Sequence, residues 1–188
     1  MQGPLDPATG EFNRVTKGVE KHMSAQEAKD FNDDDVWTSY FKFAVVRNPW
    51  DRLHSIWWNS RHIDRLHDLG LDEFFDTYLQ LPWHRRLLAK LSRRFDVLQA
   101  LKPQSETLRL TNGSMELGAV YRFEAIADAY RDLAGRLTLT ADMPKILVAN
   151  RAPETRQPYV DDFTPTLVDV VGEYYADDVR TFGYEFGR

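Results

Sequence analysis

Arg47 and Ser55 are the residues whose types and spacing suggest chemistry most directly. Arg47 follows the apolar run Phe43-Ala44-Val45-Val46, and Ser55 lies about two helical turns beyond Asn48-Pro49. A guanidinium at the carboxyl end of a strand, beside a helix N-terminus that attracts anions, is a natural seat for a phosphate. Along the following helix Arg52, Ser55 and Asn59 fall on an i, i+3, i+7 row, so one face can carry a hydroxyl toward the same pocket. The spacing also fits a plainer arrangement, in which Arg47 pairs with a neighbouring carboxylate and Ser55 has no role.

Positioning those groups requires a strand, a sharp turn and a helix. Residues 43–46 have the length and β-branching of a buried central strand. Asn48 is a good N-cap, Pro49 suits the first helical position, and Asp51 places a carboxylate in the first turn, so a helix is predicted from Pro49 to about Ile63. Upstream, residues 1–14 read as a flexible leader or an expression scar, and residues 15–19 as a short strand or extended loop. Ser24 and Glu27 form a capping box for a helix over 25–31, closed by Asn32 and an acidic turn at 33–35. Downstream, the pattern predicts a helix over 71–79, then an amphipathic basic helix over 81–101 carrying Arg85, Arg86, Lys90, Arg93 and Arg94. That basic face is either solvated or a seat for an anionic acceptor. Strands are predicted at 107–110 and 118–123 around the turn Asn112-Gly113, then a helix from Glu124 to Leu137. A loop over 143–158 offers Lys145, Arg151 and Arg156. Thr164 and Pro165 open a last helix, with Leu167, Val171, Tyr174, Tyr175, Val179 and Phe182 as its buried stripe and Gly183 at its end. Alternating strands and helices imply one three-layer α/β domain over 15–188 with a mostly parallel sheet.

Composition narrows the function classes. The chain has 188 residues, 43% of them hydrophobic, enough for one sizeable core. A formal net charge of -5 argues against wrapping a nucleic-acid backbone. The absence of cysteine excludes disulfides and thiolate metal sites. His54, His62, His67 and His84 read as helix-surface residues, and no histidine pair has enough acidic company for a metal. No run of about 18 apolar residues occurs, so a cytoplasmic protein is expected. Five tryptophans and 13% aromatic residues point to ring-rich cores and helix faces rather than to base stacking.

Residues 40–58 closely resemble the 3′-phosphate-binding signature of sulfotransferases, above all the carbohydrate-sulfotransferase-like group. In that signature a strand ends in Val-Arg-Asn-Pro, followed by an aromatic, Asp-Arg-Leu and a serine. Pro103-Gln104, Val120-Tyr121-Arg122-Phe123-Glu124 and the tail over 170–186 are similar to later landmarks of the family, in the same order, so the likeness spans about residues 16–186. The resemblance implies a P-loop-NTPase-like fold and a donor, 3′-phosphoadenosine 5′-phosphosulfate (PAPS), whose 3′-phosphate is held by Arg47 and Ser55. It implies no metal. The acceptor is expected to be a hydroxyl or amine, most readily on a carbohydrate. An acceptor-activating histidine often stands ahead of the Arg-Asn-Pro strand in this family, and His22 occupies that interval; its imidazole could take a proton at neutral pH. It also fits a surface histidine just before a helix cap. Family members begin with a strand and a Lys-containing loop that cradles the 5′-phosphosulfate. Nothing before Thr16 resembles that loop, and Lys17-Gly18 is the nearest fragment. The expectation is a chain truncated at its N-terminus, or one in which another element replaces the loop. The alternative is a non-catalytic module that binds a 3′-phosphoadenosine nucleotide or a partner protein. A nucleoside-triphosphate phosphotransferase is disfavoured, because no Gly-Lys-Ser/Thr loop is present.

Overall fold

A computed structural model describes residues 23–63, 68–79, 94–137 and 157–188 of the chain. The first element, α1 (Ala25–Phe31), starts at the expected capping box: Ser24 accepts from the Glu27 N–H while the Glu27 carboxylate accepts from the Ser24 N–H. The acidic residues that follow do not form a simple turn. Asp33 stands at the N-cap of a second short helix, α2 (Asp34–Ser39), whose first-turn carboxylates suit the positive end of its dipole.

Strand β1 (Phe43–Val46) forms where expected and pairs in parallel with β2 (Ala119–Arg122), Phe43 opposite Ala119 and Val46 opposite Arg122. Its burial differs from the expectation of a fully enclosed strand. Ala44 and Val46 face the core, whereas Phe43 and Val45 are more than two-fifths exposed. The outward face is partly covered by rings, Phe43 meeting Tyr121 edge-on and Phe41 stacked beside it. The described residues are thus mixed α/β, mostly helical, with a two-stranded parallel sheet.

Helix α3 (Pro49–Trp58) follows β1 directly and loosens into a π-helical turn over Asn59–Ile63. It supplies the middle of the core. Trp50, Leu53 and Trp57 pack against Phe74, Phe75 and Tyr78 of α4 (Leu71–Leu79) and against Leu167 and Val171 of a later helix, Pro165–Tyr174. Of the predicted basic helix over 81–101, the described part is α5 (Arg94–Ala100), and Arg85, Arg86, Lys90 and Arg93 lie outside the described residues. Lys145, Arg151 and Arg156 lie outside them too.

The predicted strand over 107–110 is instead overlapped by a short helix, α6 (Gln104–Leu108). A distant carboxylate decides this: Asp178 accepts from the N–H groups of Gln104 and Ser105, so the helix start is capped from another part of the chain. After β2, a 3-10 turn at Phe123–Ala125 leads into α7 (Ile126–Arg136), so regular helix begins slightly later than Glu124. A second 3-10 turn, Tyr159–Asp162, precedes α8 (Pro165–Tyr174), which Thr164 caps as expected. The last helix is not continuous. It breaks at Tyr175 and resumes as α9 (Ala176–Phe182), ending on Gly183 in the left-handed region at φ 64°. Tyr175 is almost wholly buried and gives its hydroxyl to the Leu101 carbonyl, which holds the break against α5.

Candidate functional site

Arg47 is the first residue past β1, and its backbone no longer belongs to the ladder with β2. Its N–H donates to Gln104 Oε1 at 2.9 Å, and its carbonyl accepts from Gln104 Nε2 at 2.8 Å. The side chain turns along α3. Nε donates to Asp51 Oδ2 at 2.5 Å, and the guanidinium lies over the Phe123 ring, 4.7 Å from its centre. The pairing with a neighbouring carboxylate, which the spacing allowed, is therefore present. It engages only Nε. Among the described residues the two terminal nitrogens have no hydrogen-bond partner, and the side chain is 24% exposed.

Ser55 is half-buried, one helical turn beyond Asp51 on the same face of α3, and its hydroxyl has no partner among the described residues. Arg47 is thus drawn onto the face that carries Ser55, and neither side chain is sealed in the core. Arg52 does not join them. Its guanidinium donates to the carbonyls of Ala100 and Lys102, closing the C-terminal end of α5. Burial lowers its pKa below the ordinary arginine value, though the group stays charged.

The start of α3 differs from the sequence expectation in one respect: the anion nearest it belongs to the protein. The Asn48 N–H donates to Glu124 Oε1 at 2.7 Å, and the Asn48 side chain accepts from the Trp50 N–H at 3.1 Å. The Asn48 amide also donates to the carbonyls of Glu185 and Arg188, so the C-terminal segment closes over the turn. Tyr184 donates its hydroxyl to the other Glu124 oxygen, and burial, followed by that carboxylate, raises the phenol well above its usual pKa. With the Asn48 and Trp50 amides so engaged, the side-chain donors left without a partner among the described residues on this face are the two terminal nitrogens of Arg47 and the Ser55 hydroxyl. End-on bidentate contact by a guanidinium suits a phosphate.

The Sulfotransferase family profile matches residues 8–185. The chain belongs to the sulfotransferase family. No curated protein and no solved structure gave a match.

In this sulfotransferase His22 lies outside the described residues. His54, expected at a helix surface, is fully buried instead, with Nε2 2.7 Å from Asp162 Oδ2 and its ring against Trp57. The 3-10 turn at Tyr159–Asp162 packs across α3 and covers it, a contact that helical periodicity does not reveal. His62 is exposed, and His67 and His84 lie outside the described residues. Three partners of the Arg47 turn carried little signal in the sequence. Gln104 stood only inside a weak landmark, Glu124 read as a helix start, and Phe123 read as a strand residue. Asp51 was legible, since an i, i+4 spacing to Arg47 is a standard helical ion pair.

Proposed function

We propose that this sulfotransferase takes PAPS as donor and transfers its sulfuryl group to a hydroxyl or amine, most readily on a carbohydrate. The observation that carries the reading is the state of Arg47: Nε held by Asp51, one face on Phe123, and both terminal nitrogens unpaired among the described residues, with Ser55 one turn beyond Asp51 on the same helix face. This is a donor set preorganised for one phosphoryl group, and orientation set before binding lowers the entropy lost on binding.

Bound PAPS supplies a sulfuryl group on a phosphate leaving group. Arg47 and Ser55 hold the nucleotide by its 3′-phosphate and so orient the other end. His22 is proposed to accept the acceptor's proton, and an imidazole suits that task at neutral pH. The fold that goes with this reading is a P-loop-NTPase-like three-layer sheet, of which β1 and β2 are two strands.

Calorimetry with adenosine 3′,5′-bisphosphate tests the site. Loss of a charge-assisted contact to phosphate costs about 1.5–3 kcal/mol, so Arg47→Ala is expected to weaken binding by roughly 10- to 150-fold. Ser55→Ala should weaken it by about tenfold, with the circular dichroism spectrum unchanged in both variants. Undiminished affinity in both would remove the site. His22→Ala should lose sulfuryl transfer while retaining nucleotide binding, and normal turnover would exclude it as the base. Tight bisphosphate binding by a chain that never turns over PAPS would favour a non-catalytic binding module instead.

A further inference from the structure

Gln104 treats Arg47 as a neighbouring strand would. One side-chain amide occupies both backbone groups of a single residue, accepting from its N–H at 2.9 Å and donating to its carbonyl at 2.8 Å. Such a two-point bridge fixes the peptide planes on either side of Arg47, and with them the direction of its Cα–Cβ bond. The point of attachment is significant. Arg47 is the residue whose terminal nitrogens are unpaired among the described residues, and it sits just past the end of the β1–β2 ladder, where β2 no longer restrains it.

Gln104 is itself held from behind. Its own N–H donates to Asp178 Oδ2 at 2.8 Å, its Nε2 lies 3.4 Å from the same oxygen, and the Ser105 N–H donates to Oδ1 at 2.7 Å. Asp178 is completely buried and Gln104 nearly so. A carboxylate enclosed in this way needs such donors, because an unsatisfied buried charge is costly. The contacts span 57 residues from Arg47 to Gln104 and 74 from Gln104 to Asp178, so three separate elements meet to orient one side chain. A buried amide and a buried carboxylate serving only to complete α6 would not need to reach the backbone of Arg47.

We propose that Gln104 and Asp178 are positioning residues that aim the Arg47 guanidinium and thereby set the preference for a nucleotide bearing a 3′-phosphate over one without it. The proposal rests on the phosphate-binding reading of Arg47. Neither residue touches the ligand. Their effect passes through the backbone of Arg47, and α9, which bears Asp178, becomes part of the apparatus that selects the donor.

The test compares adenosine 3′,5′-bisphosphate with adenosine 5′-monophosphate by calorimetry. Gln104→Met, similar in volume but without the amide, is expected to weaken bisphosphate binding by about tenfold, equivalent to one lost buried contact, and to leave monophosphate binding unchanged. Gln104→Glu keeps an acceptor for the Arg47 N–H but cannot donate to its carbonyl. It should shift the preference in the same direction and serves if the methionine variant folds poorly. Asp178→Asn should do likewise. In an Arg47→Ala background, Gln104→Met should cause no additional loss. Equal losses for both nucleotides, or an undiminished effect in that background, would reduce Gln104 to a purely structural role and overturn the proposal. A readout without ligand separates its failure from that of the phosphate reading. The Arg47 Nε–H resonance, protected by Asp51, should exchange faster with solvent in Gln104→Met, and an unchanged rate would overturn the positioning role. A wild-type chain that binds neither nucleotide would refute the phosphate reading and with it the stated preference, while the exchange rate still judges the aiming of Arg47.

Discussion

Arg47 and His54 lie seven residues apart and meet carboxylates in different settings. The Arg47–Asp51 pair is partly exposed, and pairs of that kind contribute only about 0–1 kcal/mol, so its value lies in orienting the guanidinium rather than in stability. His54 is wholly enclosed and bonded to Asp162, whose side chain reaches the surface. His54→Ala should therefore destabilise the fold by about 2–3 kcal/mol, through lost packing against Trp57 and a lost buried hydrogen bond. Urea unfolding measures this. A change within about 0.5 kcal/mol, typical of exposed positions, would mean that the ring is not buried.

At the scale of elements, the approach of α3 to α8 depends on Gly172. The Trp50 ring lies over it, with Nε1 donating to the Val168 carbonyl and Phe186 packed edge-on against the ring. A Cβ added at Gly172 would stand 3.1 Å from the Trp50 ring. Alanine in a helix gains about 1 kcal/mol over glycine in propensity, and that gain would decide the sign if the ring could move aside. Trp50 is pinned by its hydrogen bond and buried, so overpacking, which costs about 1–3 kcal/mol, should win. Gly172→Ala is expected to lower stability by about 1 kcal/mol in thermal unfolding. An increase would show that α3 and α8 separate easily. Gly183 is constrained differently, by the left-handed turn that ends α9 and by Arg122 donating to the carbonyls of Phe182 and Gly183.

For the molecule as a whole, a net charge of -5 means that a phosphorylated nucleotide approaches a repulsive field and must be captured locally. At physiological salt that field is screened beyond about 8 Å, so under the proposed reading capture falls to Arg47 and its neighbours. Ligand binding to the folded state alone adds about 2.7 kcal/mol of stability at a hundredfold excess over Kd. In a chain of this length that corresponds to a rise in Tm of about 5–10 °C with adenosine 3′,5′-bisphosphate. Arg47→Ala at the same nucleotide concentration, with affinity lowered roughly 10- to 150-fold, should show a smaller rise of about 1–6 °C. An equal rise in both proteins would put the nucleotide elsewhere.

Local grammar was legible in the residues themselves. The Ser24 capping box, the Asn48-Pro49 helix start, the Thr164-Pro165 start and the Gly183 stop all rest on groups a few residues apart, so no other part of the chain was needed to read them. The family likeness rested on the same kind of short-range order. Long-range contacts decided the remainder. A carboxylate 74 residues from Gln104 turned an expected strand into α6, and a turn 108 residues from His54 buried a histidine expected at the surface. Tyr175, anchored to a carbonyl 74 residues away, broke a helix that its apolar periodicity ran straight through. Arg47 could be named from its place after the strand, but its partners could not. Which donors remain unpaired depends on where Asp51, Phe123 and Gln104 stand in space, and only packing sets that.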